Sequence, residues 1–565
     1  MTQKLEEGAV ALGPFGARDS APRQVDTAVG LLQGSFDFYH YPRVEFEWPI
    51  DWSVNPLDNT WRWALHSFQP LYSLVNATVT AETGPVRERV LLAHSFIEDW
   101  WASHADREIE PSPYSWRGHC VGLRAQLIAW VNLPRGEWQD ALVEAHAEEL
   151  MREDVYELGH NHGLDQDLGL LALAGLHGRE DWGRFAMTRA AKSAMVMVDE
   201  QGATAEQAVG YSFYVLRLLR QLKWNAELQN LPVPKEILRY QAIPEFLTYA
   251  TQPDGRYVPI GDTSPVAAFN AEGISTWAAT KGAQGAVPPR KEIIFDRGWV
   301  FGRSGWGGQT PFEEETFFSL RFGPGKSEMD HGHVDQSSVT YFSGGSPLVI
   351  DAAFGGYGDR AQHTAEKSER GHSMVLVEGA GDFIRDAPCT LLEYSASSAW
   401  SLYSVQDRPY EEVLRTRTLV YLRAEHALAI YDHVVLGAHA TAVQRWLINS
   451  DAVTDDDSPA STFRATVGST RMEIQELLGA ERGDFLRGQV DPLIDGWESR
   501  APDDRRPAEV VRFRQRGNVA TFLTLLSTGN ITGESSGDQA VIYAGGDVRY
   551  RMKMAAEGRI IVTTV

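Results

Sequence analysis

The stretch SEMDHGHVDQSSV, residues 327–339, sets His331, His333 and Asp335 at alternate positions just after the glycines of RFGPGKS. Histidines at i and i+2 share one face of an extended strand. Such a pair can supply two metal ligands, or one ligand and one proton-transfer group, and it can equally be a polar strand end without chemistry. Other segments carry residues of the same kinds. ELGHNHGLDQDLGLLALAGLHG presents Asn161 and His162 at the start of a helical pattern, and DEQGATAEQAVGYSFY presents Tyr211 where a second helix opens. VIDAAFGGYG and ERGHSMVLVEG then bring Asp351, Tyr357 and His372. Taken singly, an Asn-His pair is as well explained as a polar helix start, and a lone tyrosine as core or rim.

Elements of two kinds must position these groups. From about residue 60 to 265 the apolar spacing is helical: Val86, Val90, Ala93, Ile97 and Trp100 follow one face, and Tyr211, Val215, Leu218 and Leu222 follow another. Pro and Gly punctuation at LPRGE and LPVPKE gives short connections, hence stacked helical hairpins. TKGAQGAVPPRK, residues 280–291, reads as a linker. Beyond it the period becomes two, in ETFFSLRFG, SSVTYFSGGSPLVID, HALAIYDHVVLG, NVATFLTLLS and GRIIVTTV, which implies packed antiparallel sheets. The acidic run Asp455, Asp456, Asp457 lacks the spaced ligands of a calcium loop and reads as solvated.

Composition narrows the partners. The 565 residues allow two large domains, and 43% hydrophobic content gives ample core. A formal net charge of −24 argues against nucleic acid or an anionic membrane as partner, so an anionic substrate needs a locally basic pocket. The 17 tryptophans belong mostly to cores, although an indole in a cleft is a platform for sugar rings. Cys120 and Cys389 form no disulfide framework and no thiolate metal site. The opening residues show no apolar core behind a basic end, so no signal peptide is read, and no apolar run of ~18 residues could span a membrane. As it stands the sequence reads as cytoplasmic, or as periplasmic or secreted if a leader was removed.

In their order along the chain, the Asn161-His162 helix start, the Tyr211 helix and the HGHVDQSSV…VIDAAFGGYG…ERGHSMVLVEG segments resemble the heparinase II/III-like polysaccharide lyases, which include oligoalginate lyases. NTWRWALHSF and SWRGHCVGLRAQL resemble the helical domain of that family, so the likeness runs from about residue 50 to 380. It implies an α+β multidomain fold, with an incomplete (α/α) toroid over 1–285 and an antiparallel β-sandwich domain over 290–565. It implies β-elimination on uronic-acid glycans: glycosaminoglycan-like hyaluronan, heparosan or chondroitin, with alginate oligomers or a bacterial exopolysaccharide as alternatives. Asn161 and His162 would neutralise the substrate carboxylate, Tyr211 would protonate the leaving oxygen, and His331 would be the complementary base.

By the same resemblance His333, Asp351 and His372 would hold one zinc ion that braces the loop beside the active site, with Asp335, His363 and Tyr357 as competing ligands. His363 sits in RAQHTAEK, read as an irregular loop. Trp116, Arg117 and Tyr357 would contact an acidic polysaccharide or oligosaccharide, and a homo-oligomer is compatible with the sequence. The chain departs from the family at Ser373 after His372, at Asp165 and Gln166, and at Ala208, which leaves the substrate open. A two-carboxylate glycosidase is disfavoured, because Asp165 and Asp167 point in different directions on a helix. A non-catalytic glycan-binding protein would have no reason to keep Asn161, His162, Tyr211 and His331 together.

Overall fold

The computed structural model describes residues 21–38, 41–107, 112–268, 273–326, 331–437, 440–455, 459–501, 504–529 and 531–565. Most of the opening stretch read for a signal peptide, and Asp456 and Asp457 of the acidic run, lie outside these residues. Two compact units are formed: residues up to Asp199 with Tyr214–Gln241, and Glu200–Phe213 with Ala242–Val565. Among the described residues no helix is long and apolar enough to cross a membrane.

The first unit is mainly helical, and its helices pack both on the next helix along the chain and on the next but one. Its centre is Gly118–Trp130 against Asn161–His177, both buried nearly all round, as expected of helices enclosed by other helices. Glycine permits the close crossing. A Cβ on Gly122 would lie 2.8 Å from the Asp165 carbonyl oxygen, and one on Gly169 would lie 2.5 Å from that of Gly122. Asn161–His177 ends at Gly178 with φ +67°, a left-handed cap. On the first of these helices the fully buried Arg124 lies 3.9 Å from the ring centroid of Trp100 and donates to His146 Nε2 at 3.0 Å and to the Ser115 carbonyl at 2.7 Å. A buried guanidinium needs such partners.

Among the described residues the second unit holds two large antiparallel sheets and two small ones, of four and of two strands. The eight-stranded sheet is centred on Val413–Leu422, Ala427–Val435 and Val519–Ser527, and the ten-stranded sheet runs through Thr441–Ile448, Ser346–Val349, Val339–Ser343 and Phe317–Arg321. Alternation within one strand shows how the layers stack. Leu419 and Tyr421 enter the core shared with the ten-stranded sheet, whereas Val420 and Leu422 pack against the four-stranded meander Ile531–Thr564. A strand covered on both faces reads as a continuous apolar run, which accounts for TLVYL. The expected antiparallel sheet domain is therefore present.

Two local expectations are corrected. Residues 331–338 are not an extended strand. Their amides bond to distant segments, His331 N to the Glu206 carbonyl at 3.2 Å and Val334 N to the carbonyl of Lys367, at a helix end, at 3.0 Å, so no ladder forms. RAQHTAEK is not irregular but the helix Arg360–Lys367, capped by the Asp359 carboxylate, which accepts from the Gln362 amide at 3.1 Å.

The glycine crossing gives a direct test. Gly122→Val forces the Gly118–Trp130 and Asn161–His177 helices apart and is expected to cost about 1–3 kcal/mol, read by thermal or urea unfolding. An unchanged midpoint would show that the crossing can relax.

Candidate functional site

In the helical unit, Asn161 opens the Asn161–His177 helix and is only 2% exposed. The N-cap is His160, whose Nδ1 accepts from the His162 amide at 3.1 Å. The His162 ring stacks on His119 with centroids 3.7 Å apart, and its Nδ1 faces the Glu157 carboxylate at 3.1 Å. The hydrogen bond from His162 holds Glu157 down at about 2, while burial lowers His162 itself and the neighbouring His119 adds to that. First-turn amides carry partial positive charge, so this helix start, with an amide side chain and an imidazole, suits an anionic group.

The neighbouring carboxylates are spoken for. Tyr214 donates to Asp165 at 2.7 Å, and His119 lies 3.3 Å from the same oxygen. Asp167 instead accepts from Tyr156 at 2.8 Å and from Arg189 at 2.7 Å, and burial raises it to about 7. They point to separate partners, as expected, and do not make a glycosidase pair. Trp116 is buried against Trp100 and His146, with the Arg107 guanidinium 4.0 Å from its ring centroid. Arg117 is exposed, 5.7 Å from the Tyr114 ring centroid.

In the second unit, Tyr211 lies in the first turn of Val209–Leu228, and its ring is stacked on His331 with centroids 3.4 Å apart and planes within 9°. His331 Nδ1 is 2.6 Å from the carboxylate of Glu206, which is 1% exposed. A carboxylate there selects the tautomer with the proton on Nδ1 and leaves Nε2 as the basic nitrogen. Tyr211 and Tyr357 share a hydrogen bond of 2.6 Å between their hydroxyls, and Tyr357 donates to Asp262 at 3.1 Å. Burial of its hydroxyl, with Tyr211 and Asp262 adjoining, raises Tyr357 well above the usual tyrosine range.

His333, Asp351 and His372 are buried, and one ligand atom from each lies within 4.8 Å of the others. His333 Nδ1 and His372 Nε2 have no hydrogen-bond partner among the described residues. A buried ring nitrogen without a partner costs free energy, and a divalent cation is a partner for such a lone pair. The donor set therefore fits a metal. Of the competitors, Asp335 is ion-paired with Arg321 at 3.1 Å, while His363 donates to Asp262 at 3.1 Å.

Glu206, Asp262 and the arginines behind the triad went unnoticed in the sequence. Asp262 is 3% exposed and accepts from His333 and His363 at one oxygen and from Tyr357 and Lys367 at the other. Burial would raise its pKa, but the bonds from His333 and His363 hold it well below the ordinary carboxylate range. Arg417 pairs with Asp432 across the strands at 2.7 Å and donates to the Ser337 and Ser373 carbonyls at 2.8 Å, bracing both flanks of the triad. Glu206 stands five residues before Tyr211 in ATAEQAVGY; an acidic residue just ahead of the helix was its one signal.

No family model matches the sequence, and no curated protein matches it. Solved structures do. The heparan sulfate lyase HepC from Pedobacter heparinus aligns with a TM-score of 0.69 at 16% identity, over 100% of this chain and 93% of that one. Heparinase III aligns at 0.73 and 15%, over 97% and 91%. A Paenibacillus xanthan lyase aligns at 0.52 and 9%, over 98% and 65%. The motif resemblance covered residues 50 to 380, whereas the structural likeness extends through the C-terminal sheets. Over its whole length the chain thus has the toroid-plus-sandwich fold of the heparan sulfate lyase and heparinase III structures.

Proposed function

We propose that the protein is a polysaccharide lyase that cuts uronic-acid-containing, glycosaminoglycan-like chains by β-elimination. The observation that carries this reading is the Tyr211–His331 stack, with His331 oriented by Glu206. Elimination needs a group that removes the C5 proton, a group that protonates the leaving O4, and donors on the adjacent carboxylate. The C5–H electrons become the C4=C5 double bond as the C4–O4 bond breaks, and the departing oxygen gains a proton. Asn161 and His162 are assigned to the substrate carboxylate, whose charge grows as the enolate develops. Tyr211 is the proton donor to O4. His331, with Nε2 free of the Glu206 contact, is the base when base and acid act from opposite faces, and Tyr211 serves both roles when they share one. The fold shared with heparinase III and HepC supports the same reading.

The metal is assigned as zinc, held by His333, Asp351 and His372. When bound it supplies local rigidity to the 331–338 and 372–375 segments, and the proton transfers belong to the side chains. Burial of all three ligands favours this bracing role over water activation.

Two outcomes test these assignments. Tyr211→Phe keeps the ring and its stacking but removes the exchangeable proton, so turnover on the best substrate of a uronate-polymer panel should fall ~10²- to 10⁴-fold, chiefly in kcat. Near-normal turnover would end the assignment of Tyr211. Elemental analysis of desalted protein should find one zinc per chain, and His333→Ala should lose it and lower the melting temperature by roughly 5 °C. Fully active metal-free protein would contradict the zinc site.

A further inference from the structure

Asp262 is acceptor to four side chains that come from three segments of the chain. One oxygen faces His333 Nε2 at 3.0 Å and His363 Nε2 at 3.1 Å; the other faces the Tyr357 hydroxyl at 3.1 Å and Lys367 Nζ at 3.2 Å. An ionised carboxylate only accepts, so each partner must donate. Two consequences follow from donor counting. His333 must carry its proton on Nε2, which leaves Nδ1 as a bare lone pair on the triad side, and that is the buried nitrogen without a partner. Tyr357 must commit its proton to Asp262, so its oxygen is left to accept from Tyr211 at 2.6 Å.

We propose that Asp262 and Tyr357 are positioning residues that couple the His333–Asp351–His372 site to the hydroxyl of Tyr211. His333, if its Nδ1 held a cation, would be locked in the tautomer that donates from Nε2 to Asp262. Asp262 then shares its charge among His333, His363, Lys367 and Tyr357, and Tyr357 receives the Tyr211 hydroxyl in a defined direction. Without the cation only the Asp262 carboxylate holds that tautomer, and the form with the proton on Nδ1 becomes accessible. Asp262 then loses one donor and meets an unpaired Nε2 in its place, and its hold on Tyr357 must readjust. Backbone contacts run along the same route, since the Asp262 amide donates to the His331 carbonyl at 2.8 Å and the Thr263 hydroxyl accepts from the Gly210 amide at 2.9 Å. Gly261, at φ +67°, brings this loop against the start of the Tyr211 helix, where a Cβ would meet the Gln207 carbonyl at 2.7 Å. Tyr357 is 40% exposed, so Tyr357→Phe removes one hydroxyl without opening a core cavity.

The test reads Tyr211 directly. Fluorine NMR of protein labelled with fluorotyrosine resolves the 19 tyrosines, and the Tyr211 signal is the one lost in Tyr211→Phe. Treating wild-type protein with a chelator is expected to shift that signal. In Tyr357→Phe the shift should vanish, while chelation still lowers the melting temperature as it does in wild type. A Tyr211 signal that ignores chelation in wild type, or that shifts equally in Tyr357→Phe, would overturn the coupling. A second measurement rests on the lyase reading: Tyr357→Phe and Asp262→Asn should each lower kcat about tenfold or more with KM little changed, and chelation should add little further loss in Tyr357→Phe. Fully additive losses would overturn the proposal. The resonance measurement needs no substrate, so its failure is distinct from a failure of the lyase assignment.

Discussion

A buried carboxylate must be surrounded by donors, and Asp262 is where that requirement shapes this protein most. Its four donors lie between 71 and 105 residues along the chain from it. Satisfying them draws the 331–335 segment, the Arg360–Lys367 helix and the 354–357 loop around one point. Removing the charge would leave the buried His333 and the three more exposed donors without their acceptor, and leaving the charge without donors would cost several kcal/mol. The geometry of the triad on one side and of the tyrosine pair on the other both follow from that constraint.

The sheets behind the site repeat the arrangement with arginines. Arg417 and Arg415 occupy neighbouring strand positions, each paired across the ladder to an aspartate, Asp432 and Asp407, and each reaches carbonyls of the 336–338 and 373–375 stretches. Such pairs contribute little net stability, because desolvation offsets the attraction; removing one partner is expensive. Their effect here is to fix the 336–338 stretch, which carries no ladder of its own, and the entry to the Val375–Glu378 strand. The His331–His333 and His372 part of the site thus stands on short irregular segments tied to the sheets by these arginines.

Much of this was legible in the sequence, and the limits have physical causes. Period-two and period-3.6 patterns separated sheets from helices, because burial of one face imposes its repeat on the residues. Tyr211 at a helix opening and Asn161 at a helix start were visible because helix ends have local signals. The HGH segment was misread as a strand since alternation of polar and small residues mimics one, and only the destinations of its amides, at Glu206 and elsewhere, distinguish a loop. The Arg360–Lys367 helix had a readable cap in Asp359 and Gln362, but its mostly polar face hid it. Asp262 was not legible at all, and Glu206 showed only as an acidic residue ahead of a helix: their roles arise from convergence of distant segments, which leaves no local spacing.

The central claim is that a C–O bond is broken by elimination, with Tyr211 and His331 moving the protons. The most direct measurement is digestion of hyaluronan, heparosan and chondroitin in heavy-oxygen water, with products read by mass spectrometry and ultraviolet absorbance. Elimination predicts an absorbing unsaturated uronate end, fragment masses that sum to the substrate, and no heavy oxygen in either fragment. Fragments that have gained water, with heavy oxygen at a new reducing end and no absorbance, would contradict the account.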